Sequence, residues 1–302
     1  MNRREFLKRL TGFTLGAAGV NLALPKRVKA QLLGPVTDLV GAGYLDSRIA
    51  LGLQKLRRER PGWRFGETHC HTRYSDGNHT VGSLLRRAEA LGLDFIVITE
   101  HLTPRLHPME PLMASIRARS RFQPSVASGT RPPLAAYPGF EISTREGHLI
   151  LVFPETYLGG QALRDMEKRF LPFERSMPSI ETAALWGREL GAVSIIPHPN
   201  IERSYPFGVS TRFVRKHLLG AVDAIEDIST GHGYRANHSR RLGLASIGSS
   251  DDHFNFLIGS TVTGYDGTRY PDLPTAVQAR ATRAFEVDHS LHSLIAAART
   301  LF

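Results

Sequence analysis

The chain has 302 residues, of which 41 % are hydrophobic and 22 % are charged. This composition allows a sizeable core and excludes an intrinsically disordered chain. The single cysteine, Cys70, excludes an intramolecular disulfide, so packing or metal must hold the fold together. The net charge of +10 comes largely from residues 1–30, which carry seven Lys/Arg and one Asp/Glu, against 31 and 27 in the rest of the chain. Because basic and aromatic residues are not interleaved, this charge does not indicate a nucleic-acid partner.

The first thirty residues have the pattern of a bacterial export signal. Arg3-Arg4 precede Phe6-Leu7, a mildly apolar stretch runs over residues 10–24, and Val28-Lys29-Ala30 ends the segment. The pattern resembles a twin-arginine signal, which predicts recognition by the twin-arginine translocase, removal of residues 1–30 and a periplasmic or secreted protein. The alternative is an uncleaved membrane anchor. It is disfavoured because a span needs roughly 20 predominantly apolar residues, so no permanent membrane span is expected.

The remaining chain is predicted to form a lead-in and one domain. Residues 31–62 are the lead-in, with an amphipathic helix over 47–60 that packs on the domain. Over 63–302, apolar runs alternate with helical periodicity. Strands are predicted at 63–71, 95–99, 135–142, 148–153, 193–197, 224–228 and 244–249, and helices at 81–91, 180–190, 212–219, 234–242 and 291–300. This alternation predicts an α/β domain with a parallel sheet or barrel.

Histidines and carboxylates stand where these strands end. Successive strand residues face opposite ways, so His69 and His71 share a face and Cys70 is expected to pack in the core. By the same alternation Asp251 and His253 lie together and Asp252 points away.

Nine such side chains are candidate metal ligands. They are His69, His71, Asp76, His101, Glu141, His148, His198, Asp251 and His253. Each alone has an ordinary explanation as a structural histidine, a turn residue or a helix cap. As a set they fall at the carboxyl ends of strands, where α/β barrels place their active sites, and they offer the nitrogen and oxygen donors that divalent metals use.

These residues lie in segments that resemble one known family. The segments are Gly66–Gly77, Gly92–His101, Gly139–Ser143, Gly147-His148, Ile196–Pro199 and Ser250–His253. In this order they are similar to motifs of the PHP (polymerase and histidinol phosphatase) family of metal-dependent phosphoesterases. The resemblance covers residues 63–253 and implies a distorted (βα)7 barrel that holds two to three divalent ions, with Zn, Mn and Fe as candidates.

The resemblance also implies how the ligands are shared. His69, His71, Glu141 and Asp251 hold one metal. Glu141 bridges to a second metal that His148 and His198 complete, and Asp76, His101 and His253 hold a third. Glu100 and Asp252 depart from the usual family residues at positions that are not ligands.

The implied reaction is hydrolysis of a small-molecule phosphoester by metal-activated hydroxide. Asp76 or His253 is a candidate proton donor to the leaving group. Arg73, Arg145 and Arg203 are candidate phosphate-binding residues because guanidinium pairs bidentately with phosphate, although each is equally well explained as a solvated surface charge.

Two alternatives stay open. The same metals can hydrolyse carboxylic esters, carbamates or amides, and an exported protein can bind metal without catalysis. Presence of all nine candidate ligands favours an enzyme over a non-catalytic binder.

Overall fold

The structure, a computed structural model, describes residues 44–122, 132–201, 207–289 and 291–293. The predicted export signal, lead-in residues 31–43, Arg203 and residues 294–300 of the predicted last helix lie outside the described residues. Within the described ranges, no helix combines the length and the apolar character needed to cross a membrane.

The first described element is an amphipathic helix, α1, which spans Tyr44–Glu59. It buries Leu45, Ile49 and Leu53 against the domain and exposes Leu51. Arg57 donates to the Asp94 carboxylate at 2.6 Å. The helix predicted over 47–60 is therefore present, and it covers the domain as expected.

Ten strands of the described chain form one sheet. They are β1 (Trp63–Glu67), β2 (Phe95–Leu102), β3 (Ala135–Ser143), β4 (His148–Val152), β5 (Val193–Ile196), β6 (Ala224–Ser229), β7 (Tyr234–Arg235), β8 (Ala245–Ser249), β9 (Thr261–Asp266) and β10 (Arg283–Glu286). Their order is β10-β9-β1-β2-β3-β4-β5-β6-β7, and β8 pairs with β6.

The sheet is mixed rather than parallel. The pairs β1–β2, β2–β3, β5–β6 and β6–β8 are parallel, whereas β4, β7, β9 and β10 pair antiparallel with their neighbours. The loop 144–147 between β3 and β4 explains one reversal, because a parallel crossover needs about a dozen residues or more. The expectation of a parallel sheet was wrong for these strands, while the α/β class is confirmed.

Most of the helices cover the outer face of the sheet, and the last of them packs on its inner face. After α1 they are α2 (Val81–Leu91), α3 (Met109–Ser120), α4 (Gly160–Phe170), α5 (Ile180–Glu189), α6 (Thr211–Phe213), α7 (His238–Leu242) and α8 (Leu273–Gln278). A π turn, Val214–Leu218, follows α6. The helix predicted over 234–242 was partly wrong: its first two residues form β7, which pairs with the end of β6, and only His238–Leu242 is helical.

The inner face of the sheet explains where the candidate ligands lie. Phe95, Val97, Tyr137 and Ile150 pack together inside the sheet, and α8 adds Leu273 and Val277 to the same cluster. Because inward-facing residues alternate along a strand, the same faces carry His101 on β2, Glu141 on β3 and His148 on β4. An apolar floor therefore lies below the candidate ligands.

Threonine side chains close the curled sheet between β8 and β9. The Thr263 hydroxyl accepts from Gly248 N at 3.0 Å and donates to Gly248 O at 2.9 Å. Thr68 Oγ1 donates to the same carbonyl at 3.2 Å. At this boundary between β8 and β9, called the seam below, these side-chain contacts take the place of backbone hydrogen bonds between the strands.

This seam gives a stability prediction. Thr263→Val removes the partner of a buried N–H and a buried C=O, so it should lower the free energy of unfolding by about 1–3 kcal/mol. The matched control is Thr282→Val, because Thr282 is 4 % exposed and its hydroxyl has no hydrogen-bond partner among the described residues. That control should be neutral or stabilising. Urea unfolding of the metal-free proteins measures both, and equal losses would show that the seam bonds contribute nothing.

Candidate metal centre

The Glu141 carboxylate lies at the middle of the nine predicted side chains, and it is 1 % exposed. Its Oε2 is 3.2, 3.4 and 3.3 Å from ring nitrogens of His69, His71 and His101. Its Oε1 is 2.6 and 3.0 Å from ring nitrogens of His148 and His198. The two oxygens therefore face two different sets of imidazoles.

A second carboxylate, Asp251, approaches the same imidazoles from the end of β8. Its Oδ1 is 3.2 Å from His69 Nε2 and 3.3 Å from His71 Nε2. The backbone of Asp251 has φ 48°, and that of His198 has φ 30°. Non-glycine residues rarely adopt this left-handed conformation, and such strain persists where surrounding contacts fix the residue for a function.

The third carboxylate, Asp76, lies on the solvent side of the cluster. Its Oδ1 is 3.5 Å from His101 Nε2 and 3.3 Å from His253 Nε2. The side chains of Asp76 and His253 are 39 % and 22 % exposed, whereas that of His69 is buried. The two proposed proton donors are thus the members of the set that solvent reaches most easily.

Donor atoms of these nine residues converge in four groups, each with all atoms within 4.8 Å of one another. The groups are His71/Asp76/His101/His253, His69/His198/Asp251, His69/His71/Glu141 and His101/Glu141/His148. The structure therefore brings together all nine residues singled out in the sequence, while their roles as ligands are taken up below as a proposal.

Unsatisfied ring nitrogens test whether this set suits a metal. Both ring nitrogens of His71 and Nδ1 of His101 and His148 are buried and make no well-aligned hydrogen bond in the described part of the chain, although carboxylate oxygens lie close to them. Buried polar atoms are normally satisfied, and an imidazole nitrogen aimed at carboxylate oxygens is a typical divalent-metal donor. The residues present fit a metal centre.

Charge compensation sets the protonation states. Burial by itself raises the pKa of Glu141, but His148, His69 and His101 hold it well below its usual range. Burial lowers the pKa of His253, yet Asp76 and Asp251 raise it to about 10. Burial and the neighbouring His253 and His101 lower the pKa of His71 to about 3. A metal that binds His253 must therefore displace its proton, which makes metal binding release protons.

Glu226 on β6 supports the centre, and sequence reasoning missed it. It is buried, and its Oε1 accepts from His69 Nδ1 at 2.9 Å while its Oε2 accepts from His198 N at 2.7 Å. A carboxylate that fixes one ring nitrogen of a histidine leaves the other nitrogen for a metal. The available signal was the pair of carboxylates Glu226 and Asp227 within a predicted strand that is apolar at its other positions.

Glu100, which departs from the family pattern, holds the loop that carries Asp76. Its carboxylate accepts from Ser75 Oγ at 2.6 Å, from Ser115 Oγ at 2.8 Å and from Thr72 N at 3.2 Å. In the same loop a Cβ on Gly77 would lie 2.4 Å from the His71 carbonyl oxygen, so only glycine fits there. Glu100 thus acts on the loop rather than on the donor cluster.

Asp252, the other departure, points away from the cluster as the alternation predicts. It is buried, and its carboxylate accepts from Phe254 N at 3.0 Å and from Phe256 N at 2.9 Å. Its backbone oxygen accepts from His71 N at 2.8 Å. Asp252 therefore shapes the loop after β8.

The candidate phosphate-binding arginines are less well placed. Arg73 and Arg145 are exposed, on the loops that follow β1 and β3. Within the described ranges, no ion pair joins either guanidinium to another side chain. Arg203 lies outside the described residues, so the arginines remain candidates only.

Comparisons with known proteins reveal a similarity to solved structures at the level of the fold. No protein-family model and no curated protein matches the chain. PsfC from Pseudomonas syringae is 18 % identical with a TM-score of 0.54, over 80 % of this chain and 98 % of that one. A two-domain protein from Bacteroides vulgatus, described as containing a predicted PHP-like metal-dependent phosphoesterase, is 19 % identical with a TM-score of 0.52. That match covers 75 % of this chain and 66 % of the other, just under two thirds of its length.

A more distant structure is the lesion-specific endonuclease of Pyrococcus furiosus, 15 % identical with a TM-score of 0.46, over 74 % of this chain and 57 % of that one. The two structures with higher scores share a fold with this chain. The mixed α/β domain with a curled sheet matches the PHP-type barrel that the sequence predicted.

Cys70 gives a test of the strand alternation at this centre. The thiol is fully buried in the apolar cluster beneath α2 and lies 3.5 Å from Val97 O, away from the imidazoles. Cys70→Ala should keep full metal content, because no donor atom is lost, and should cost about 1 kcal/mol or more of stability from lost packing. Metal analysis and urea unfolding measure the two effects. A folded Cys70→Ala protein that has lost metal would show that the thiol is a ligand.

Proposed function

We propose that this chain is a metal-dependent phosphoesterase with a di- or trinuclear metal centre. One observation carries the proposal: the buried Glu141 carboxylate presents each of its oxygens to a different set of imidazoles. A carboxylate so placed suits a bridge between two divalent ions. The nitrogen and oxygen donors around it suit Zn, Mn or Fe.

The proposed ligand sets are those that the resemblance to the PHP family implies, and they overlap the four groups of converging donor atoms without coinciding with them. His69, His71, Glu141 and Asp251 would hold one ion, Glu141 with His148 and His198 a second, and Asp76, His101 and His253 a third. When bound, such ions supply a hydroxide nucleophile from water at neutral pH and neutralise charge that develops on the phosphoryl oxygens. Glu226 and Glu100 would fix the ligands before substrate arrives, and the apolar floor would exclude water from below.

Residues on the solvent side would handle the substrate. Asp76 and His253 are the most accessible of the set, so either is placed to donate a proton to a leaving group that enters from solvent. Arg73 and Arg145 on the rim are proposed to bind the phosphate. The near balance of charge outside residues 1–30 favours a small-molecule phosphoester over a polynucleotide.

Glu141→Gln tests the proposed bridge. The amide cannot bridge two cations, so the variant should lose bound metal and at least ~100-fold in hydrolysis, equivalent to several kcal/mol of transition-state stabilisation. Metal content by mass spectrometry is measured beside hydrolysis of aryl phosphomonoesters, phosphodiesters, carboxylic esters and single-stranded DNA. The control, Glu181→Gln, changes an exposed glutamate at the start of α5 and should behave as wild type.

The outcomes separate the candidate functions. Hydrolysis of carboxylic esters alone would favour the carboxylic-ester alternative, and metal without hydrolysis of any substrate would favour a binding protein. Normal turnover in Glu141→Gln, or a wild-type protein that binds no divalent metal, would remove the proposed mechanism.

We further propose that the protein is exported by the twin-arginine route to the periplasm or beyond. The support is the Arg3-Arg4 pair, the mildly apolar stretch after it and the small residue Ala30. This route carries folded proteins, so metal can be bound before export.

The export proposal predicts that the mature protein begins near Gln31. Replacing both Arg3 and Arg4 by Lys should block export, whereas Arg9→Lys, a matched change beside the pair, should not. N-terminal sequencing and cell fractionation measure both. Intact Met1 on membrane-embedded protein would instead show an uncleaved anchor.

A further inference from the structure

His232 is a buried histidine beside the centre that the predicted ligand pattern does not contain. It lies in the turn between β6 and β7 and is 6 % exposed. Its Nε2 is 2.5 Å from Asp251 Oδ2. The other oxygen of this carboxylate faces two further imidazoles, and an ionised carboxylate can only accept. His232 Nε2–H is therefore the donor.

The two oxygens of Asp251 have separate partners. Oδ1 faces His69 Nε2 and His71 Nε2, at 3.2 and 3.3 Å. Oδ2 faces His232. Among the described residues, His232 belongs to none of the four groups whose donor atoms converge. Its hydrogen bond to the centre is to Asp251, and its ring also lies beside that of His198, with ring centroids 4.9 Å apart.

The backbone holds His232 in this place. Gly231 N donates to Ser250 O at 2.8 Å, and Thr230 N donates to Ser249 O at 3.1 Å. A Cβ on Gly231 would lie 2.4 Å from Ser250 O, so the turn approaches the chain before Asp251 as closely as glycine permits. The turn of β6–β7 is thus docked on the segment that carries Asp251.

Asp251 needs such support because its own backbone is strained, with φ 48°. A carboxylate held only through its Cα can rotate and present either oxygen, or both, to a cation. The bond from His232 removes that freedom by occupying Oδ2. Outer groups that orient a ligand in this way typically contribute 10–100-fold to metal affinity or activity.

We propose that His232 is a positioning residue, which fixes Asp251 through Oδ2 so that Oδ1 alone faces the metal position shared with His69 and His71. The inference rests on the proposed metal centre. It goes beyond the nine proposed ligands, because it assigns a role to a histidine outside them.

The test compares two substitutions of His232 in the full chain. His232→Phe keeps a flat ring of similar size but has no donor, whereas His232→Gln keeps an N–H that can reach Oδ2. Binding of Zn²⁺ is measured by competition with a chromophoric chelator, and the absorption spectrum of the Co²⁺-loaded protein reports ligand geometry. The control, His217→Phe, removes an exposed histidine on the π turn. His232→Leu replaces the Phe variant if that variant does not fold.

His232→Phe should lower the affinity for the most tightly bound Zn²⁺ by about 10–100-fold and change the Co²⁺ spectrum. His232→Gln should lose less than tenfold and keep the spectrum, and His217→Phe should match wild type. Two results overturn the inference. The first is wild-type affinity and a wild-type spectrum in His232→Phe. The second is a loss of affinity in His232→Gln as large as in His232→Phe, which would make His232 a direct ligand. If wild type binds no Zn²⁺, the proposed function itself fails as well; if wild type binds Zn²⁺ and hydrolyses substrate, a normal Phe variant overturns this inference alone.

Discussion

The placement of the Glu141 carboxylate among five imidazoles is the interaction on which the rest of the structure depends. A buried carboxylate is costly unless opposite charges or hydrogen-bond donors compensate it. Here the imidazoles that surround it come from four different strands or the loops that follow them, so compensation requires the barrel to bring those strands to one end. The fold and the centre are therefore specified together.

Other buried carboxylates, which lie around the centre, are also compensated by the groups that donate hydrogen bonds to them. Glu67 is fully buried, and burial raises its pKa to about 7 even though Ser250 N, Ser250 Oγ and Gly259 N donate to it. These bonds tie the end of β1 to the end of β8, and so join the chain around His69 to the chain around Asp251. Glu226 and Glu100 do the same for His69 and for the Asp76 loop. Apart from the bond from His69 to Glu226, the outer carboxylates thus accept from backbone and hydroxyl groups, and the imidazoles are left to face the inner carboxylates.

Strand alternation explains why so much of the centre could be predicted from sequence. It placed His69 with His71, and Asp251 with His253, and it turned Cys70 and Asp252 away, as the structure has them, although these residues lie beyond the ends of β1 and β8 and the backbone of Asp251 has φ 48°. Helix α2 could be predicted from sequence because Thr80 caps its start and Gly92 ends it with a φ of 83°. The α/β class and most of the inner strands could also be predicted, because they too depend on patterns within short segments of the chain.

What could not be predicted depends on contacts between distant residues. The antiparallel pairing of β9 with β1 joins segments that are far apart in sequence, and nothing in either segment states the partner. Helix α3 was missed because it buries Arg119, whose guanidinium donates to Tyr137 O at 3.0 Å, where a buried apolar residue is the usual signal. Glu226 and His232 were missed because a residue that orients a ligand needs no fixed spacing from it along the chain.

The proposed metal positions differ in how easily solvent reaches them, so the centre has an inner side and a side that faces solvent. The group with His69, His198 and Asp251 lies over the apolar floor, and His69 and His198 are 0 % and 1 % exposed. The group with Asp76 and His253 faces solvent, with those side chains 39 % and 22 % exposed. A molecule that approaches the cluster from solvent therefore meets the Asp76 side before the His69 side. Polar support is concentrated on the inner side, where Glu226 and His232 hold the ligands, whereas Asp76 depends on a loop that Glu100 anchors. In the proposed centre, the inner ligands would thus be held for tight binding, and the outer ones would lie where a substrate enters and its product leaves.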